Sequence, residues 1–205
     1  MAPPTTVRAL RIRDTALALI ARPGGAATTV RDIAAAAEVS PALLIRHYGS
    51  MDGVRDAVNA HVTATVTAAL SELVSDDLLD AGAQDSLAAA LLDRLGADSP
   101  IPRYLLRMLV DGGDSGRALF RELYAAGRRT VDAIVRAGVL TDASDPRARA
   151  VVLTTHDLAV LILREPITEA LGADPLSPTG ATTWGTELAD IYRGLQPPET
   201  SEETS

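Results

Sequence analysis

The 205-residue chain contains no cysteine and no lysine. Without cysteine there are no disulfides, no thiolate metal ligands and no thiol nucleophile. Aromatic residues make up only 3% of the sequence, with one Trp and one Phe, so any core must be assembled from Ala, Leu, Val and Ile. Such material, with few β-branched runs, favours helices. No uninterrupted apolar run approaches the ~20 residues that a membrane-spanning helix needs. The first residues do not form an apolar segment followed by a small-residue cleavage site, so no signal peptide is read and a soluble, cytoplasmic protein is expected. The three histidines, His47, His61 and His156, stand at no metal-ligand spacing, and no glycine-rich phosphate loop occurs. Neither a metal nor a cofactor is expected.

What is present is unevenly distributed. All 19 basic residues are Arg, against 27 acids, for a net charge of −8. Residues 1–61 carry seven Arg and five acids, net +2, while the remainder carries 12 Arg and 22 acids, net −10. A basic N-terminal segment on an acidic body attracts phosphates to one face and discourages indiscriminate coating of a polyanion.

The basic segment holds the densest signal, T-T-V-R-D-I-A-A-A-A-E-V-S-P-A-L-L-I-R-H-Y from Thr28 to Tyr48. Thr29 can cap a helix start with Asp32 three residues on, close to a capping box. Val30, Ile33, Ala34 and Ala37 then recur at helical spacing. Glu38 and Val39 make a turn, and Ser40 followed by Pro41 opens a second helix with a capping hydroxyl and a proline at the first helical position. At about two turns that helix is too short to stand alone. The pattern predicts a helix-turn-helix whose second helix enters a DNA major groove. On that helix Arg46 is the one long hydrogen-bonding side chain suited to a bidentate guanine contact, while Ala42, Leu43 and Ile45 can meet a thymine methyl. The DNA-contacting set expected is Thr29, Arg31, Ser40, Pro41, Ala42, Leu43, Ile45, Arg46, His47 and Tyr48, with Arg8, Arg11 and Arg13 as further cations.

Helical periodicity continues to the end of the chain, interrupted by Gly, Pro and Asp clusters. Nine helices are predicted, over residues 6–22, 30–37, 41–47, 51–74, 84–95, 101–110, 115–137, 146–171 and 178–195, and no strand. The fold class is therefore all-α: a helix-turn-helix domain at 1–49, a larger helical domain at 50–195, and a polar Pro-, Glu-, Ser- and Thr-rich tail at 196–205 with nothing to bury. Residues 151–163, V-V-L-T-T-H-D-L-A-V-L-I-L, are apolar around nearly the whole circumference. Either the domain encloses this helix or a second copy of the chain covers part of it. The amphipathic last helix, with Trp184, Leu188, Ile191, Tyr192 and Leu195, favours a homodimer.

With I-R-D-T-A-L-A-L-I-A leading to Gly24, then T-T-V-R-D-I-A-A-A-A-E-V-S, then R-H-Y-G-S, the chain resembles the TetR family of one-component transcriptional regulators over residues 12–60. That resemblance implies an all-helical homodimer, double-stranded operator DNA as partner, and a C-terminal cavity for a small-molecule effector that relieves repression. The segment from Leu161 to Leu195 resembles the paired terminal helices through which such proteins dimerise. The chain departs from the family pattern at Leu43 and Ile45, where Thr and Tyr are usual, and at Met51, where Lys is usual.

Tyr104, Met108, Phe120, Tyr124 and His156 lie on neighbouring predicted helices and could line that cavity; residues of this kind are also ordinary core. Thr154, Thr155, His156 and Asp157 interrupt the apolar helix, and their polar groups must find partners either across a dimer or in a ligand. Gly113-Asp114-Ser115-Gly116 matches the loop around a trypsin-like nucleophile, but that chemistry needs a base, an orienting acid and an oxyanion hole on a β-scaffold. The match reads as a turn and helix start, and no catalytic residue is assigned. The leading function is a ligand-responsive repressor of a palindromic operator, released by a mostly apolar molecule. The alternative is a TetR-like binding module with weakened or lost operator recognition, supported by Leu43, Ile45 and Met51.

Overall fold

The computed structural model describes residues 6–75, 87–96, 99–136, 138 and 143–194. All regular structure among these residues is helical. The elements are α1 (Val7–Ile20), a 3₁₀ turn (Gly25–Ala27), α2 (Val30–Ala36), α3 (Pro41–Tyr48), α4 (Met51–Ser75), α5 (Leu87–Leu95), α6 (Pro100–Asp111), α7 (Gly113–Arg136), α8 (Pro146–Ile162), α9 (Arg164–Leu171) and α10 (Pro178–Gly194). The expected tail at 196–205 and residues 84–86, 137 and 195 of the predicted helices lie outside the described residues. So do the side chains of Leu188, Ile191 and Tyr192.

Among the described residues ten α-helices stand where nine were expected, because the continuous helix predicted over 146–171 is broken at Leu163 (φ −101, ψ 17). Pro166 explains the break. In an unbroken helix its ring would clash with the carbonyl of Ile162 four residues earlier and remove one hydrogen bond. Placed at the third position of α9 instead, its missing N–H costs nothing.

The spine is α4. Val54, Val58, Val62 and Val66 are each 0% exposed and follow one another at four-residue spacing, with Leu70 and Leu73 continuing the stripe. Valine is a mediocre helix former, so this helix is held by packing rather than propensity. Each buried valine contributes about 1.5–3 kcal/mol. The first turns of α4 pack on α1 and α3, and its later turns pack on α5 and α7. The helix begins just after the domain boundary expected at residues 49 and 50 and packs against elements on both sides of it, so a displacement at one end is carried to the other.

Two glycines set the junction. A Cβ on Gly53 would lie 1.9 Å from the carbonyl oxygen of Tyr48, so only glycine lets the start of α4 abut the end of α3. A Cβ on Gly25 would lie 2.3 Å from the carbonyl oxygen of Ile20, which keeps the turn after α1 folded back on that helix.

Candidate nucleic-acid interface

The helix-turn-helix is α2 and α3, clamped against α1. At the start of α2 the capping box is complete: Thr29 Oγ1 accepts from the Asp32 amide at 3.3 Å, and the Asp32 carboxylate accepts from the Thr29 amide at 2.9 Å. The Thr29 hydroxyl, donating to the same carboxylate at 2.7 Å, and then the Thr29 amide hold the Asp32 carboxyl below the usual carboxylate range. At the start of α3, Ser40 Oγ accepts from the Leu43 amide at 3.1 Å, and Pro41 takes the first helical position. The turn between them uses Glu38 in the left-handed region, φ 53, the one non-glycine residue with positive φ among the described residues. Arg11 of α1 steadies that turn by donating to the carbonyl oxygens of Ala37 and Glu38, and it lies 3.7 Å from the Glu38 carboxylate.

One face of α3 is anchored and the other is free. Leu44 is fully buried, and Tyr48 is 7% exposed with its hydroxyl donating to the Ala9 carbonyl at 2.6 Å. Burial pushes the Tyr48 pKa up, as expected for a phenol kept neutral. The solvent face carries Pro41, Ala42, Ile45 and Arg46 at helical spacing, with Ile45 41% exposed, and His47 half-buried at its edge. Arg46 has no hydrogen-bond or ion-pair partner among the described residues. Neither do Arg31 on α2 and Arg8 on α1, both exposed.

The ten residues expected to meet DNA thus divide. Arg31, Pro41, Ala42, Ile45, Arg46 and part of His47 are presented outward. Thr29 and Ser40 are exposed, but their hydroxyls are used as helix caps. Leu43 is half-buried. Tyr48 is a correction: its side chain and its hydroxyl are both spent on α1, so it positions the helix and does not face solvent. Two of the additional cations are corrected likewise, because Arg11 holds the turn and Arg13 lies against Asp14 at 2.7 Å.

The five residues expected to converge on a ligand do not meet. Tyr104 is buried and donates to Asn59 Oδ1 at 2.8 Å, in a polar cleft of about 270 Å³ where Met108 also lies. Phe120 lines a separate open groove of about 910 Å³ between α6, α7 and α8, with Leu109, Val110, Leu158 and Ile162. Tyr124 lies beside Arg128 one helical turn on and helps hold its guanidinium charged. His156 Nε2 accepts from Trp184 Nε1 at 2.9 Å, a neutral-imidazole role consistent with the downward shift that burial gives its pKa. Ser115, in the protease-like quartet, is inside the first turn of α7 and accepts from Asn59 Nδ2 at 3.2 Å.

Sequence reading missed the contacts that tie the DNA-binding helices to the body. Arg107 of α6 donates to the Ile20 carbonyl at 3.0 Å, and Arg55 of α4 donates to the Ala26 carbonyl at 3.2 Å. Both acceptors are backbone oxygens, and no sequence pattern announces such partners.

Comparison with known proteins agrees with this architecture. Residues 12–58 match the model for bacterial regulatory proteins of the tetR family, and residues 96–188 match the tetracyclin repressor-like C-terminal domain. The HTH-type transcriptional regulatory protein RaaS of Mycobacterium tuberculosis is 33% identical over 141 residues, 68% of this chain and 63% of that protein. The HTH-type transcriptional repressor Rv3405c of the same species is 34% identical over 109 residues, 53% of this chain and 50% of that protein. The chain thus spans between half and two thirds of the length of these relatives. Among solved structures, the TetR family transcriptional regulator PfmR from Thermus thermophilus superposes with a TM-score of 0.57 at 18% identity. The superposition covers 95% of this chain and all of that one, and it speaks to the fold. The chain belongs to the TetR family of bacterial transcriptional regulators.

Proposed function

We propose that this protein is a homodimeric regulator that binds a palindromic operator through α3 and represses transcription until a small, mostly apolar molecule releases it. The observation that carries the reading is the division of α3. Leu44 is buried in the core and Tyr48 is locked to α1, while Arg46 stands unpaired on the outer face, and Arg31 on α2 and Arg8 on α1 are exposed as well. A recognition helix held rigidly from behind, with unpartnered guanidinium groups in front, is what major-groove reading requires.

The dimer rests on α8. Val151, Val152, Ile162 and Leu163 are 40–49% exposed, and they lie on one stripe with Thr155 and Ala159. An uncovered apolar stripe of this kind supports pairing with a second copy, with α10 alongside. Obligate interfaces of this type bury ~2,000 Å² or more. Two-fold symmetry then sets two half-sites about one helical turn apart.

The test is sedimentation together with fluorescence anisotropy on the DNA upstream of the protein's own gene. A dimer should bind with log Kobs falling against log salt at a slope of about −4, if Arg8 and Arg31 of each copy neutralise phosphates. A dimer that binds no DNA would instead favour the second reading, a ligand- or partner-binding module. The exposed Ile45 on the outer face of α3 is the observation on its side.

A further inference from the structure

A half-buried carboxylate on α8 has no protein group to answer its charge. Asp157 lines a small chamber with Leu70 of α4, Leu91 of α5, Leu123 of α7, and Thr154 and Leu161 of α8. It makes no hydrogen bond or ion pair among the described residues, and burial pushes its pKa up to about 6 with no donor or cation offsetting it. Beside it the Thr154 hydroxyl, 8% exposed, also lacks a partner. The space for that hydroxyl is made by Gly127 of α7, where a Cβ would lie 2.5 Å from Oγ1. The charged groups nearby on the surrounding helices are engaged elsewhere. Arg94 pairs with Glu72 at 3.1 Å, Arg128 lies 3.7 Å from Asp132, and His156 Nε2 is taken by Trp184.

Two adjacent unpartnered polar groups in a leucine-walled chamber are costly to a protein that gains nothing from them. Together they describe a complementary guest: apolar over most of its surface, with one positive centre for Asp157 and one group for Thr154. An anion would meet repulsion, and a neutral hydrocarbon would leave the carboxylate unanswered. We propose that this chamber is the effector site and that it selects a lipophilic organic cation whose charge is met by Asp157. The proposal deepens the regulator reading above and rests on it for the word effector.

The size of the chamber supplies the coupling. Its open volume is about 20 Å³, room for one water-sized group, so any larger guest must move the leucines apart. Leu70 belongs to α4, whose other end carries Gly53 against the carbonyl of Tyr48. Spreading the chamber therefore displaces α4, and with it the seat of α3.

The test uses two probes of one shape and opposite charge, tetraphenylphosphonium and tetraphenylborate, titrated calorimetrically into the full-length protein. Tetraphenylphosphonium should bind at least tenfold more tightly than tetraphenylborate. Asp157→Asn should weaken the cation at least tenfold and abolish that preference. Leu123→Trp, which fills the chamber while keeping the carboxylate, should block the cation independently. Equal binding of the two ions, unchanged cation binding in Asp157→Asn, or no cation binding at all would overturn the proposal. Anisotropy on upstream DNA separates this from the regulator reading. A protein that binds that DNA but ignores the cation loses the proposed ligand class and remains a regulator. One that binds the cation selectively but no DNA keeps the site and loses its role as a repressor.

Discussion

The guanidinium of Arg107 on α6 donates to the carbonyl oxygen of Ile20, the last residue of α1, at 3.0 Å across 87 positions of sequence. That carbonyl is one of those a helix end leaves without an internal partner. The bond joins the helix that supports the DNA-reading unit to the body that houses the chamber, and the bond from Arg55 of α4 to the Ala26 carbonyl adds a second link. With α4, these contacts form the mechanical path between the two functions. Arg107→Ala should cost about 1 kcal/mol of stability, since the guanidinium is partly exposed. Its larger effect should fall on coupling. The ratio of operator affinities with and without cation should move toward one, while operator affinity without cation changes little. An unchanged ratio would mean that α4 carries the coupling alone.

Tyr48→Phe tests the assignment of Tyr48 as a positioning residue. Losing the bond to Ala9 should cost about 1 kcal/mol in thermal unfolding. Binding to operator and to random DNA should weaken together, because the whole of α3 loosens. A loss confined to one base pair of the operator would instead make Tyr48 a reader.

The turn between α2 and α3 predicts a stabilising substitution. Glu38 at φ 53 bears the strain of a side chain in the left-handed region, roughly 1 kcal/mol, and its exposed pairing with Arg11 returns little. Glu38→Gly should raise the melting temperature by a few degrees and leave DNA binding intact. A lower melting temperature would show that the Arg11 contact outweighs the strain.

The half-buried Asp157 predicts a pH signature. Its pKa of about 6 lies above the ordinary carboxylate value, so the folded state holds a proton that the unfolded chain has already released. Stability should therefore decline as pH rises from about 4 through about 6, by up to about 3 kcal/mol. Asp157→Asn should remove that decline, making the variant more stable than the natural protein at pH 7.5 and no more stable near pH 4. His156 works in the opposite sense, since its lowered pKa costs stability as pH falls below about 6.5. Comparing the two proteins at the same pH cancels the His156 contribution. Equal stability at pH 7.5 would place a counter-charge beside Asp157.

Helix starts were legible in the sequence because caps are local: Thr29, Ser40 and Ser50 each reach an amide three residues on. The helix-turn-helix followed from them, as did the exposure of Arg46, which lies on the face of α3 opposite the buried Leu44 and Tyr48. The break at Leu163 was legible in principle, since Pro166 forbids a continuous helix there. The ligand site was not. Helical spacing says which residues share a face of one helix, but the crossing angles of α4, α6, α7 and α8 decide which faces meet. Tyr104 and Phe120 accordingly point into different spaces, and Asp157 points into a third. The structural roles of Arg11, Arg55 and Arg107 were not legible either, because their partners are backbone carbonyls.

In the proposed regulator α3 reads sequence through Arg46. The most direct measurement is the affinity of the natural protein and Arg46→Ala for the upstream palindrome and for a scrambled duplex of the same length, at one fixed salt concentration. The variant should lose about 1–3 kcal/mol on the palindrome, with relaxed preference at one base pair of each half-site, and much less on the scrambled duplex. Equal losses on both duplexes, or a natural protein that does not distinguish them, would contradict the claim.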